Sequence, residues 1–180
     1  MQNEIDSIRQ YCKTYIAESS GLPLYRSLTR VGNDIRRIKV RHRKAPDANL
    51  DSCFQGVIGQ EYPNLLGRTV FAYPNQIADT ENYESFFIFA PDGFRYLYNT
   101  AIKDSVAEYS FLFDRLTEHF DEIGEAKSAI MDSIDLGYKQ DGLATGIACG
   151  AEILIYDISH YYAVRSSLFN YQDLLSLINQ

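Results

Sequence analysis

Apolar residues recur every three or four positions in several segments, a spacing that predicts amphipathic helices. In the first of these segments Ile5, Ile8 and Tyr15 would share one face, and Ser19-Ser20-Gly21 would end the helix. The pattern predicts helices at 2–18, from Asn75 to Tyr83, at 104–134 with a break at Gly124, at 141–149, and from Tyr171 onwards. Helices are therefore expected at both ends of the chain and through its middle.

Other segments alternate apolar and polar residues, or form short apolar runs, and these predict β-strands. The predicted strands are 23–28, 35–41, 69–73, 85–90, 93–98, 152–157 and 161–165. Pro91-Asp92-Gly93 is a turn sequence that favours a hairpin between the fourth and fifth of them. Residues 44–67 contain several prolines and glycines and predict a loop. This mixture of helices and strands predicts one α+β domain over residues 1–180.

The composition is that of a globular chain, since 46% of the 180 residues are hydrophobic and 23% are charged. No apolar run is long enough to cross a bilayer, and the polar, acidic N-terminus is unlike a secretory signal. The cysteines, Cys12, Cys53 and Cys149, lack the spacing of a zinc site and favour a reducing compartment. We therefore expect a cytoplasmic protein that neither crosses a membrane nor holds a metal.

The net charge of −7 is unevenly distributed, because residues 26–44 contain eight basic side chains and one acidic one. One interpretation is a strand pair whose basic faces are simply solvated. The other is a surface that binds an acidic protein or a nucleic acid. On a strand, one face would carry a basic stripe, which we predict to be the target-binding surface: Arg37, Lys39, Arg41 and Arg43.

Three strand-like runs each carry one polar group at a defined place. The runs are Leu22-Pro23-Leu24-Tyr25-Arg26-Ser27, Gly67-Arg68-Thr69-Val70-Phe71-Ala72-Tyr73 and Cys149-Gly150-Ala151-Glu152-Ile153-Leu154-Ile155. In chain order they supply an arginine, a hydroxyl and a glutamate. A guanidinium binds phosphate oxygens in a bidentate way, and a fixed carboxylate stabilises positive charge that develops on a sugar.

In this order, the three marks resemble the ADP-ribosyltransferase fold, over about residues 22–165. The chain is also similar to a family of phage proteins of comparable size. The resemblance implies two small sheets around a cleft that holds NAD, preceded by an N-terminal helix (1–20) and followed by a C-terminal helix (166–180). It implies a phage-encoded enzyme that transfers ADP-ribose from NAD to a macromolecule in the host cytoplasm during host takeover.

The resemblance also assigns roles to individual residues. Glu152 would be the catalytic carboxylate that stabilises an oxocarbenium-like transition state, and Thr69 would hold Glu152 or a ribose hydroxyl by a hydrogen bond. Arg26 would bind phosphate or ribose oxygens. The remaining cofactor-binding candidates are Tyr25, Ser27, Tyr73 and Tyr83, of which the last two would stack on the nicotinamide.

The sequence departs from the family pattern at three places. Ser27 stands where a glycine is common, the middle strand lacks a Ser-Thr-Ser run, and Gly150 stands where arginine-modifying toxins have an acidic or amide residue. These departures put arginine modification in doubt. They also leave two alternatives open, a non-catalytic binding, inhibitor or virion protein on the same fold, and a protein that sequesters a nucleotide without cleaving it. The acceptor and the oligomeric state are not encoded in any motif.

Overall fold

Seven strands form two antiparallel sheets in the computed structural model, which describes residues 2–41, 68–117 and 123–180. The strands are β1 (Tyr25–Thr29), β2 (Ile35–Lys39), β3 (Val70–Ala72), β4 (Tyr83–Phe89), β5 (Arg95–Tyr98), β6 (Ile153–Tyr156) and β7 (His160–Arg165). The first sheet has the order β1-β4-β7-β2, and the second has the order β3-β6-β5. The prediction of an α+β fold with two small sheets is confirmed.

Six α-helices accompany the sheets within these described ranges. They are α1 (Gln2–Tyr11), α2 (Lys13–Glu18), α3 (Ser105–Thr117), α4 (Ile123–Gly137), α5 (Leu143–Ala148) and α6 (Tyr171–Ile178), with a 3-10 turn at Ser166–Leu168. Arg9 of α1 donates hydrogen bonds to the carbonyls of Ile178 (2.7 Å) and Leu177 (3.0 Å), which ties the first helix to the last. None of these helices is long and apolar enough to span a bilayer.

The two sheets meet where β1 passes the end of β3. The backbone N–H of Tyr25 donates to the carbonyl of Tyr73 at 2.7 Å, and the N–H of Tyr73 donates back at 2.9 Å. Since β1 and β3 are edge strands of their own sheets, this pair of bonds joins the sheets. It also places Tyr73 beside β1, the strand that carries Arg26.

Aromatic rings fill much of the core, as expected for a chain without tryptophan. The Tyr15 ring is fully buried and meets the rings of Phe89 and Phe94 edge-on, with centroids 5.9 and 5.7 Å away. Every residue of β6 is buried, and β6 is the central strand of its sheet. The residue just before β6 therefore enters the interior of the protein.

The predicted hairpin around Pro91-Asp92-Gly93 is wrong. The turn forms, with the N–H of Phe94 donating to the Pro91 carbonyl, but β4 and β5 belong to different sheets. The turn instead binds the N-terminal helices, since the Asp92 carboxylate accepts from the N–H of Thr14 at 2.7 Å. β4 is the more buried strand and pairs with β1 and β7 on its two sides, which leaves no edge for β5.

Two helix predictions need correction. No helix forms between Asn75 and Tyr83, where Asp79 accepts a hydrogen bond from the N–H of Ser85 and Thr80 makes a turn with Tyr83. The segment is too polar to offer a helical apolar face. The N-terminal segment forms two helices rather than one, interrupted at Cys12. The helices α3 and α4 lie in the predicted segment 104–134, but the predicted break at Gly124 is wrong, because Gly124 lies within α4. Residues 118–122 lie outside the described residues.

Candidate functional site

Glu152, the predicted catalytic carboxylate, lies immediately before β6 and is only 1% exposed. Its Oε2 accepts a hydrogen bond of 2.9 Å from the backbone N–H of Ser105, the first residue of α3. A carboxylate is stabilised there, because the first turn of a helix has free N–H groups and a positive dipole end. The other oxygen, Oε1, is buried and makes no well-directed hydrogen bond within the described residues.

The surroundings of Glu152 act on its pKa in both directions. Burial raises the pKa above its usual value, because a buried carboxyl is more costly to ionise. Contacts with Ser105 and the Tyr73 hydroxyl favour the ionised form and lower the pKa, whereas the nearby Asp104 raises it. Oε1 has no hydrogen-bond partner among the described residues, so Glu152 retains capacity for a further donor.

Tyr73 connects Glu152 to Arg26. The antiparallel register of β3 and β6 pairs Ala72 with Ile153, so Tyr73 is the next residue opposite Glu152. Burial raises the pKa of the Tyr73 hydroxyl above its usual value, the neighbouring Glu152 raises it further, and Arg26 opposes this rise. Both charges therefore act on the same hydroxyl, and the structure brings Arg26, Tyr73 and Glu152 to one region.

The Arg26 guanidinium is held between strands of both sheets. Its Nη1 donates a hydrogen bond of 2.6 Å to the backbone carbonyl of Phe71 in β3. It also lies close to the hydroxyl of Tyr161 in β7, where its charge partly offsets the rise in the Tyr161 pKa that burial causes. Arg26 thus has a role in joining the sheets, in addition to placing a positive charge near Tyr73.

A pocket of about 580 Å³ opens beside this group and is lined by Tyr73, residues 74–77, Lys103 and residues 148–150. Its volume lies within the range of about 300–1,000 Å³ that is typical of small-molecule sites. Lys103 Nζ donates to the Cys149 carbonyl at 2.5 Å, which joins two walls of the pocket. Tyr73 is the member of the Arg26–Tyr73–Glu152 group that lines it.

The position of Gly150 has a structural reason. Its φ of +73° lies in the left-handed region that favours glycine, and it follows the end of α5. The N–H of Gly150 donates to the Ile147 carbonyl and the N–H of Ala151 to the Gly146 carbonyl, the arrangement of a glycine that ends a helix. An acidic or amide side chain at this position would strain the backbone.

The remaining site residues do not join this group. Thr69 is 6% exposed, and its hydroxyl has no hydrogen-bond partner among the described residues. Four residues, or about 13 Å of extended chain, separate it from Tyr73, so the hydroxyl that approaches Glu152 from this strand is that of Tyr73. Tyr83 is 48% exposed at the start of β4 and does not line the pocket.

Strand alternation separates Tyr25 and Ser27 from Arg26. Successive side chains of β1 point to opposite faces, so Arg26 faces away from both neighbours. The Tyr25 ring packs on Phe87 with ring centroids 5.1 Å apart. Tyr25 therefore contributes to the site through its backbone bonds to Tyr73 rather than through its ring.

The basic segment divides into structural and exposed residues. Arg36 lies over the Phe86 ring at 4.5 Å and donates to the carbonyls of Asn33 and Thr29, so it supports the fold. The predicted stripe is exposed at Arg37, Lys39 and Arg41, while Arg43 lies outside the described residues.

Sequence reasoning missed the contributions of Ser105 and Lys103. Asp104 accepts from the N–H of Ala107, as a residue that starts a helix does, and this signal was available in the sequence Lys103-Asp104-Ser105. That this helix end meets Glu152, 47 residues later, follows only from the tertiary fold.

The described residues contain no group of metal-ligating side chains. Neither family models nor curated proteins nor solved structures gave a match to this chain.

Proposed function

We propose that this protein binds NAD in the pocket beside Tyr73 and transfers or releases its ADP-ribose, as an ADP-ribosyltransferase of phage type acting on a host macromolecule. The observation that carries the proposal is the buried Glu152, whose Oε1 has no hydrogen-bond partner among the described residues and which lies opposite Tyr73, a residue of the pocket wall. A buried carboxylate with spare acceptor capacity is costly for a fold to keep, and such groups are concentrated at functional sites.

The proposal assigns three roles to residues around the pocket. Glu152 would accept a hydrogen bond from the ribose and stabilise the positive charge that develops as the nicotinamide bond breaks. Tyr73 would hold the carboxylate ionised and would contact the nicotinamide from the pocket wall. Lys103 is the cation that lines the pocket and would meet the phosphates.

Arg26 would contribute mainly through its charge. Its Nη1 is already bonded to the Phe71 carbonyl, and its Nε is buried without a partner among the described residues. The guanidinium would therefore stabilise the ionised Glu152 beside the Tyr73 hydroxyl and the anionic part of NAD, while remaining attached to β3.

The second candidate is a protein of similar shape that binds a nucleotide and does not cleave it. The observation that favours it is the 1% exposure of Glu152 and the use of Oε2 by the N–H of Ser105. For catalysis the carboxylate must reach the pocket by a change in the position of Tyr73. A sequestering protein would need no such change.

The location of the site is tested by adding NAD to ¹⁵N-labelled Glu152→Gln protein and recording backbone amide shifts. The substitution preserves the shape of the side chain and keeps NAD intact during the titration. We expect saturable shifts at Gln76, Lys103 and Gly150. The absence of shifts at millimolar NAD, or shifts confined to residues distant from the pocket, would contradict the proposal.

A matched pair of variants tests how much the positive charge of Lys103 contributes to NAD affinity. Lys103→Ala removes the pocket cation, whereas Lys139→Ala removes an exposed lysine that does not line the pocket. NAD affinity should fall several-fold in the first variant and stay unchanged in the second. Equal affinities would show that the phosphates do not bind at Lys103.

A further inference from the structure

A basic face is formed by β2 and β7 on the first sheet, away from the Tyr73 pocket. Arg37 pairs with Tyr162 and Lys39 with His160, so each pair shares a face of the sheet. Arg37, Lys39 and Arg41 are exposed. Arg37 and Lys39 alternate along β2, which spaces them about 6.6 Å apart, and Arg41 follows two residues after the strand ends. The face thus presents a regular row of cations beside two ring-bearing residues.

A second cleft, of about 440 Å³, adjoins this row. It lies between α1, the Pro91–Asp92 turn and β7, and Arg37, Tyr11 and His160 are among its lining residues. Tyr11 is 48% exposed, so its aromatic side chain is accessible to a ligand in the cleft. The cleft therefore offers an open aromatic surface next to a cation.

The polar groups of the cleft suit a nucleobase. Partial burial and the nearby Arg37 lower the pKa of His160, so its ring is neutral at neutral pH. The His160 ring meets Tyr162 edge-on, with centroids 5.4 Å apart, which fixes its orientation. One carboxylate oxygen of Asp92 is bonded to the N–H of Thr14, and the other can accept from the amino group of a base.

We propose that this face binds single-stranded nucleic acid, with phosphates on Arg37, Lys39 and Arg41 and an unstacked base in the cleft against Tyr11. Rows of cations beside exposed aromatic rings are the general means by which proteins hold single strands. A duplex keeps its bases stacked and cannot fill the cleft. An acidic protein carries no nucleobase to place against Tyr11, so it would use only the row of cations.

The inference rests on the part of the proposed function that concerns the target, because it names the class of macromolecule that the basic stripe binds. It does not depend on the NAD reaction, because binding is measured without NAD. A protein that binds nucleic acid and ignores NAD would overturn only the NAD proposal. A protein that cleaves NAD and ignores nucleic acid would overturn only this one.

The test is fluorescence anisotropy with a labelled 12-nucleotide single strand of mixed sequence, as RNA and as DNA, against the corresponding duplex. Lys39→Glu should weaken binding of the single strand at least several-fold and reduce its salt dependence. The charge-matched control is Lys139→Glu, an exposed lysine that pairs with Tyr98 of the second sheet and does not line this cleft, and it should bind like the wild type. Equal effects of the two variants would overturn the proposal.

The proposed stacking of a base on Tyr11 is tested by Tyr11→Ala. This variant should bind the single strand about tenfold or more weakly, because stacking is lost, while the salt dependence of binding stays unchanged. Circular dichroism confirms that each variant is folded. An excess of polyglutamate should compete poorly. Effective competition by polyglutamate would indicate an acidic protein partner instead, and tighter binding of the duplex, or no binding of either strand, would also overturn the proposal.

Discussion

The Tyr73 hydroxyl can be removed without changing the shape of the site, by Tyr73→Phe. The variant loses the group that approaches the buried Glu152 from β3 and lowers its pKa. A well-directed hydrogen bond to a charged group contributes about 1.5–3 kcal/mol, whereas neutral ones contribute about 0.5–1.5 kcal/mol. Because Oε1 of Glu152 has no hydrogen-bond partner among the described residues, the contact with Tyr73 is a weak one, and we expect the lower range, a loss of about 1 kcal/mol in the free energy of unfolding at neutral pH.

The sign of the pH effect follows from the same contact. The folded-state pKa of Glu152 is already raised above the unfolded value, so ionising it costs stability as pH rises through that interval. Removing the Tyr73 hydroxyl raises the folded pKa further. The difference between wild type and variant should therefore be largest above the folded pKa and vanish at acidic pH, where Glu152 is protonated in both states.

Urea unfolding at several pH values measures this difference. Tyr83→Phe is the matched control, since it removes a hydroxyl from a half-exposed tyrosine outside the pocket and should change stability by less than about 0.5 kcal/mol. If Tyr73→Phe behaves like the control at neutral pH, or if its effect is larger in acid, the Tyr73 hydroxyl does not support the Glu152 carboxylate.

Two glycines give the remaining predictions, with opposite signs. In α5, a Cβ on Gly146 would lie 2.7 Å from Cγ of the buried Tyr98 and 3.0 Å from Cδ1 of Ile153, so Gly146→Ala should destabilise the fold by about 1–3 kcal/mol. In α4, a Cβ on Gly124 would meet nothing within 4 Å, and Gly124→Ala should be neutral or stabilise by up to about 1 kcal/mol. Thermal unfolding measures both, and equal effects would contradict the packing around α5.

Local patterns identified most elements, because they depend on residues close in the chain. The helix from Tyr171 begins as predicted, with Asn170 accepting from the N–H of Gln172, and the period-two pattern located β2. The hairpin prediction failed for a nonlocal reason. The Pro91-Asp92-Gly93 turn is compatible with a hairpin, but the bond from Thr14 to Asp92 directs the chain towards the second sheet.

The candidate site was predictable only in part. The order of Arg26 and Glu152 along the sequence pointed to two residues that both act on Tyr73. The choice of Thr69 as the partner of Glu152 depended on the register between two strands, which a single sequence does not define. In the structure, the register of β3 and β6 places Tyr73, not Thr69, opposite Glu152. The contact between Glu152 and the start of α3 joins distant segments and leaves no local pattern.

The most direct test of the account is the rate of nicotinamide release from NAD by the wild-type protein and by Glu152→Gln. We predict release by the wild type and a loss of about a hundred- to a thousand-fold in the variant, corresponding to about 3–4 kcal/mol for one preorganised charged group. Glu81→Gln, at an exposed position outside the pocket, should keep the wild-type rate. Equal rates in wild type and Glu152→Gln, or no release by folded wild-type protein, would contradict the assignment of Glu152 as the catalytic carboxylate.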